Sequence, residues 1–127
     1  MGRRKHRHGL VKEEIFMSKV LLMTKVKNNL KKHGDFEFKL SNININGAKR
    51  GCSGFVMNPQ NGVVVYVNTE KSCYAPLNKK NLVRYAKNDH DYIGSINEWA
   101  TDEELATKVV SMLNNKQRYE DMVDGYR

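Results

Sequence analysis

FEFKLSNININGAKRGCSGFVMNPQNGVVVYV, residues 36–67, decides the architecture, because period-two alternation runs through it and turn chemistry cuts it twice. Phe36, Phe38 and Leu40 recur at every second position, which places them on one face of a strand. Ile43 and Ile45 continue in the opposite phase, so a bulge is expected near Asn42. Asn46-Gly47 is a hairpin signal, since both residue types accept the left-handed backbone of a tight turn. Gly51–Met57 reads as the second strand, with Phe55 and Met57 on one face and Gly54 permitting close backbone approach. Asn58-Pro59-Gln60-Asn61-Gly62 is the second turn: Pro59 presets φ and Gly62 tolerates its reversal. Val63–Val67 is the third strand, apolar enough throughout for a sheet centre. Short hairpin connections make the three strands an antiparallel meander.

On the N-terminal side, Ser18–His33 reads as a helix. Val20, Met23, Val26 and Leu30 form a stripe at spacings of three and four, Ser18 is positioned as the cap, and Gly34 as the stop. Residues 1–16 read as a basic disordered arm, because Arg, Lys and His interspersed with Gly2 and Gly9 cannot bury enough apolar area to order it. On the C-terminal side, Asn78 can cap a helix through Lys87, with Leu82, Tyr85 and Ala86 inward. Residues 88–99 then read as an irregular polar loop. Thr101-Asp102-Glu103-Glu104 is a capping box, and Leu105, Val109, Met112 and Leu113 give the apolar stripe of a last helix to about Asn115. Residues 116–127 are expected to fray as a charged tail or to form one weak extra turn. The fold expected is α+β: an N-terminal helix, a three-stranded antiparallel meander, and two C-terminal helices packed on one sheet face. Residues 17–115 would form a single domain.

Charge is distributed as unevenly as hydropathy. The 127 residues carry 22 Lys/Arg against 14 Asp/Glu, a net +8. All of this excess lies in residues 1–34, with ten bases and two acids; the remainder balances at twelve of each. Were Met17 rather than Met1 the natural start, the net would still be +5. A segregated field of this kind recruits phosphate backbones or acidic surfaces, because each neutralised phosphate releases condensed counterions. The candidate contact residues are therefore Arg3, Arg4, Lys5 and Arg7 of the arm and Lys25, Lys27, Lys31 and Lys32 of the first helix. Lys79, Lys80, Arg84 and Lys87 join them from the expected second helix, whose N-terminus would add free backbone amides as an anion seat. Tyr74, Tyr85, Tyr92 and Trp99, interleaved with those cations, could stack bases or anchor a protein partner. Each set has a plainer counterpart, in solvated lysine faces and in aromatics that close a small core.

No catalytic signature is present: no P-loop, dinucleotide glycine pattern or HExxH. Asp89-His90-Asp91 with Cys52 or Cys73 has no spacing that defines a nucleophile or a metal site. No cofactor or metal is expected. Cys52 and Cys73, 21 positions apart, read as free thiols of a reducing compartment. The longest apolar run, Val63–Val67, is strand-length, far below the roughly 20 residues of a membrane span, and no secretory signal is recognisable. A cytoplasmic, non-catalytic protein is expected.

The order of helix, three strands and helix is similar to that of double-stranded RNA-binding domains, which also place lysines at the start of the closing helix. The stretch Gly51–Ala86 resembles, in its strings, small proteins from plasmids and conjugative elements of low-GC Gram-positive bacteria. The matching features are Asn-Pro-x-Asn-Gly at 58–62, Val-Tyr-Val-Asn-Thr-Glu-Lys-Ser at 65–72 and Leu-x-x-Lys-Asn-Leu-x-Arg-Tyr-Ala at 77–86. The strings carry no known chemistry. Proteins of this size on mobile elements often disarm host defence. The resemblance thus implies an anti-CRISPR or other anti-defence inhibitor that binds a CRISPR-associated nuclease or its RNA. The alternative is a general DNA- or RNA-binding accessory protein of plasmid maintenance or transfer.

Overall fold

The computed structural model describes residues 20–71, 81–91 and 93–125. Within them lie helix α1 (Met23–Lys31), strands β1 (Glu37–Ile45), β2 (Ala48–Met57), β3 (Val64–Asn68), β4 (Asn81–Tyr85) and β5 (Glu98–Ala100), and helices α2 (Leu105–Leu113) and α3 (Lys116–Gly125). The fold is α+β, and the strands form one antiparallel sheet in the order β1-β2-β3-β4-β5. No described helix is long and apolar enough to cross a membrane.

The meander forms as its pattern predicts. Asn46 and Gly47 take φ of 52° and 80° at the β1–β2 turn. The bulge lies one step beyond the expected place: the register shifts between Ile43 and Asn44, and the extra residue is Arg50 on β2. At Gly54, a Cβ would stand 2.0 Å from the Lys39 carbonyl oxygen, so only glycine lets the two backbones meet.

Period two sorts the sheet into faces. Phe38 and Leu40 of β1, Cys52 and Val56 of β2, Val65 and Val67 of β3, Val83 and Tyr85 of β4 and Ala100 of β5 share one side. Against it pack Val26 and Leu30 of α1, Leu105, Val109, Met112 and Leu113 of α2, and Tyr119 of α3. Burying this set removes apolar area from water, the main driving force of the fold.

Two expectations fail. The helix expected over 78–87 is contradicted, because Asn81–Tyr85 is a strand whose residues alternate between buried and half-buried. Leu82, Tyr85 and Ala86 fit a helical spacing, but Val83 and Tyr85 fit period two as well, and the open edge of β3 needs a partner. Asn81 conceals the alternation, being a polar residue on the core face. Its amide donates to the Ala100 carbonyl (3.2 Å) and to Asp102 (2.7 Å), and its oxygen accepts from Lys71 (3.0 Å). The expected loop 88–99 also yields β5 at its end, and with five strands the order of a double-stranded RNA-binding domain is not reproduced.

The tail expected to fray is likewise ordered. Asn115 caps α3 by accepting from the Arg118 amide (3.1 Å), and the buried Tyr119 hydroxyl donates to the Ala86 carbonyl (2.8 Å). Met122 and Val123 complete its inner stripe. The capping box before α2 forms reciprocally, with Thr101 and Glu104 exchanging amide-to-side-chain bonds of 3.1 Å. The start of α1 is capped across the fold instead of locally: Leu22 offers no side-chain cap, and Asn42 accepts from the Met23 amide (2.8 Å). The helix expected over 18–33 therefore starts later, at Met23 after an extended Leu22, and is not capped by Ser18; Ser18 itself and the arm 1–16 lie outside the described residues.

Candidate functional site

The described cations divide by location. Residues 20–71 hold eight Lys/Arg against three Asp/Glu, whereas residues 81–125 hold five against nine. From Phe38 to Thr69 there is no carboxylate at all. The first part supplies α1 and the β1–β2 hairpin, along with β3 at the sheet centre.

The C-terminal cations are mostly engaged. Glu98, on the core face of β5 with its side chain 12% exposed, accepts from both Lys108 (2.9 Å) and Arg118 (2.8 Å). The Arg118 guanidinium also lies 5.3 Å from the centre of the Tyr85 ring. Arg84 donates to the Ser95 carbonyl; of the cations in 20–71, Lys71 pairs with Asp102 and Lys39 with Asp89. On α1 and the hairpin the situation differs. Lys25, Lys31, Lys32, Lys49 and Arg50 are exposed, and among the described residues no carboxylate stands within ion-pair distance of them. Lys27 is half-buried, its ammonium 5.7 Å from the centre of the Phe38 ring.

These two elements are held side by side. Asn42 at the base of the hairpin caps α1. The buried Thr69 hydroxyl donates to the Leu21 carbonyl (2.7 Å) and accepts from the Cys52 amide (2.9 Å), tying the approach to α1 onto β2. From there α1 runs back along β1, bringing Lys27 over Phe38. The edge strand β1, its hairpin and α1 therefore lie together, with Asp35 and Glu37 at the far end of β1 from the turn, Asp89 paired with Lys39 of β1, and Glu70 beside Gly51 at the hairpin's base.

The other site candidates have separate fates. Arg3, Arg4, Lys5, Arg7, Tyr74, Lys79, Lys80 and Tyr92 lie outside the described residues. Tyr85 is fully buried, its hydroxyl donating to the Met112 carbonyl (3.0 Å) and its ring meeting Tyr119 edge-on at 5.3 Å. It is a core residue and cannot stack a base. Because Asn81–Tyr85 is a strand, the anion seat expected at a helix N-terminus there is not formed. Arg84 and half-buried Trp99 fall on the sheet face opposite the helices. There Lys39, Phe55, Tyr66 and Arg84 form one cross-strand row, and Ser41, Ser53, Asn68, Leu82 and Trp99 the next. Phe55 and Tyr66 meet edge-on at 5.5 Å. Lys87 is exposed.

Sequence reasoning passed over Lys49 and Arg50. The signal was available, as a basic pair directly after an Asn-Gly turn in a stretch without acids. Groups with reactive potential are placed quietly. Burial pushes the Cys52 thiol above its ordinary range, which disfavours the nucleophilic thiolate. His90 is exposed beside Asp89 at 3.1 Å, and this hydrogen bond, with the more distant Lys39 charge, holds the Asp89 carboxyl below its usual value. No cluster of three or more His, Cys, Asp or Glu that could hold a metal occurs among the described residues.

No family model matches the chain, and neither curated proteins nor solved structures give a significant match.

Proposed function

We propose that this protein is a non-catalytic binder of phosphate backbones, presented either as free nucleic acid or within a nucleoprotein. The observation that carries the reading is the set of five exposed cations on α1 and the β1–β2 hairpin with no described carboxylate to neutralise them. Polyanion binding by such a surface is driven by counterion release, so affinity falls steeply with salt. The chain's remaining cations at 1–19 would extend the same field. An anti-defence inhibitor acting on a CRISPR-associated nucleoprotein of the host would be one use of this surface. That use draws its support from the likeness of residues 51–86 to proteins of mobile elements.

Titration of the full chain with short DNA and RNA duplexes between 50 and 300 mM salt tests the reading. The five described cations alone predict a slope of log K against log salt of roughly −4 to −5, steepened by any contribution from the cations at 1–19. Lys31→Gln with Lys32→Gln should make the slope shallower by about 2. A flat slope, or no binding at low salt, would refute it.

A further inference from the structure

We infer that the β1–β2 hairpin is a two-stranded finger that enters the major groove of duplex DNA; the inference rests on the phosphate-binding reading above. β3 ends at Asn68, opposite Ser53, so the paired residues Asn44–Lys49 and Ile45–Ala48 stand beyond the third strand. Every residue from Asn44 to Arg50 is exposed, and Ile45 is 41% exposed although large and apolar. Three residues per arm at about 3.3 Å each project the turn by about 10 Å. The B-form major groove is about 12 Å wide and 8.5 Å deep and accepts a two-stranded ribbon.

The chemistry of the finger suits that groove. Lys49 and Arg50 bring charge to it; Glu70 lies beside Gly51 at the base of the finger, but neither cation is in ion-pair distance of a described carboxylate. Arg50 is the bulge residue, and bulges re-aim side chains and sharpen strand twist. Asn44 and Asn46 carry the paired donor and acceptor that adenine presents in the major groove, and Ile45 offers an apolar contact for a thymine methyl. The base of the finger abuts the start of α1, so its lysines can follow the flanking backbone and fix the register, as phosphate contacts do. An A-form RNA helix has a major groove too narrow and deep for such an element, and a flat acidic protein surface offers no cleft for a finger.

The test uses the full chain and four probes: a DNA duplex, an RNA duplex of the same sequence, the DNA duplex with bulky groups on pyrimidine C5, and polyglutamate. The expected result is binding to plain DNA at least roughly tenfold tighter than to RNA, to blocked-groove DNA or to polyglutamate. Lys49→Gln with Arg50→Gln should weaken DNA binding roughly tenfold and abolish the preference for DNA over RNA, while Lys31→Gln with Lys32→Gln weakens both alike. Circular dichroism confirms that these exposed variants stay folded. Equal binding of DNA and RNA, indifference to the blocked groove, or a finger variant that weakens both duplexes in parallel would overturn the finger and leave phosphate binding standing. Polyglutamate binding as tight as DNA would also overturn it. Failure to bind either duplex would end both readings.

Discussion

The Asn58 side-chain amide donates to the Leu113 carbonyl at 3.0 Å, joining the turn between β2 and β3 to the end of α2. The same amide reaches Asn114 (3.3 Å), its oxygen accepts from the Gln60 amide (3.0 Å), and Asn61 donates a second bond to Leu113 (3.0 Å). The Asn-Pro-Gln-Asn-Gly string thus does two jobs. It reverses the chain and satisfies a carbonyl that the helix end leaves without an intrahelical partner. Asn58→Ala should cost about 1–3 kcal/mol, since Asn58 is buried and its partners would be left unsatisfied. Asn61→Ala should cost less. Because both share Leu113, the double variant should depart from additivity, as urea midpoints at unchanged m would show.

Gly54→Ala should be among the most damaging single changes in the sheet. Its added Cβ would meet rigid backbone, at a φ of 144° that side chains rarely adopt. A loss exceeding roughly 3 kcal/mol is expected, with the thermal midpoint collapsing accordingly. A midpoint within a few degrees of the parent would contradict the β1–β2 register.

Glu98→Gln should destabilise by about 1–3 kcal/mol, leaving Lys108 and Arg118 without their shared carboxylate. The figure is held below that for a fully buried pair because both cations are about a third exposed. Denaturation in low and in 1 M salt provides the check: the gap between Glu98→Gln and the parent should narrow only modestly in salt, since the carboxylate itself is shielded. A gap that vanishes in 1 M salt would place Glu98 on the open surface.

Burial raises the Tyr85 and Tyr119 hydroxyls above the usual value of 10.0, which keeps both neutral in the fold. In the unfolded chain they ionise first, so above that value the unfolded state binds fewer protons and stability falls with pH. The contribution is complete below pH 10 and is lost as pH climbs toward the raised native values. Tyr85→Phe with Tyr119→Phe should lower stability at pH 7 by about 1–3 kcal/mol through lost hydrogen bonds. The same variant should flatten the decline between pH 9.5 and 11. Urea midpoints across that range, compared with the parent, read both effects.

Only part of the proposed binding surface was legible in the sequence. Lys25, Lys31 and Lys32 could be marked because a helix displays its cations at known intervals. Lys49 and Arg50 follow a turn that was recognised, yet whether a hairpin lies within a sheet or stands clear of it depends on where β3 stops. Tyr85 illustrates the reverse. Its spacing with Leu82 and Ala86 points it inward while the neighbouring lysines suggest a contact surface, and only its burial beneath α2 and α3 decides for the core.

By itself the sequence determined whatever depends on neighbours along the chain. The meander over 36–67, its two turns, the capping box at Thr101 and Glu104 and the helix after it all arise from spacings of two to four residues and from local backbone preference. Tertiary structure alone decided that Asn81–Tyr85 joins the sheet, because the β3 edge and the distant partners Lys71, Ala100 and Asp102 stabilise a strand that local periodicity leaves ambiguous. It also decided that Lys116–Gly125 is a helix, since Tyr119 finds its burial and its hydrogen bonds only against β4 and the carbonyls of Ala86 and Lys87. Which cations stay unneutralised was settled the same way: an ion pair such as Glu98 with Arg118 joins residues 20 positions apart, a distance over which the chain's own spacing carries no information.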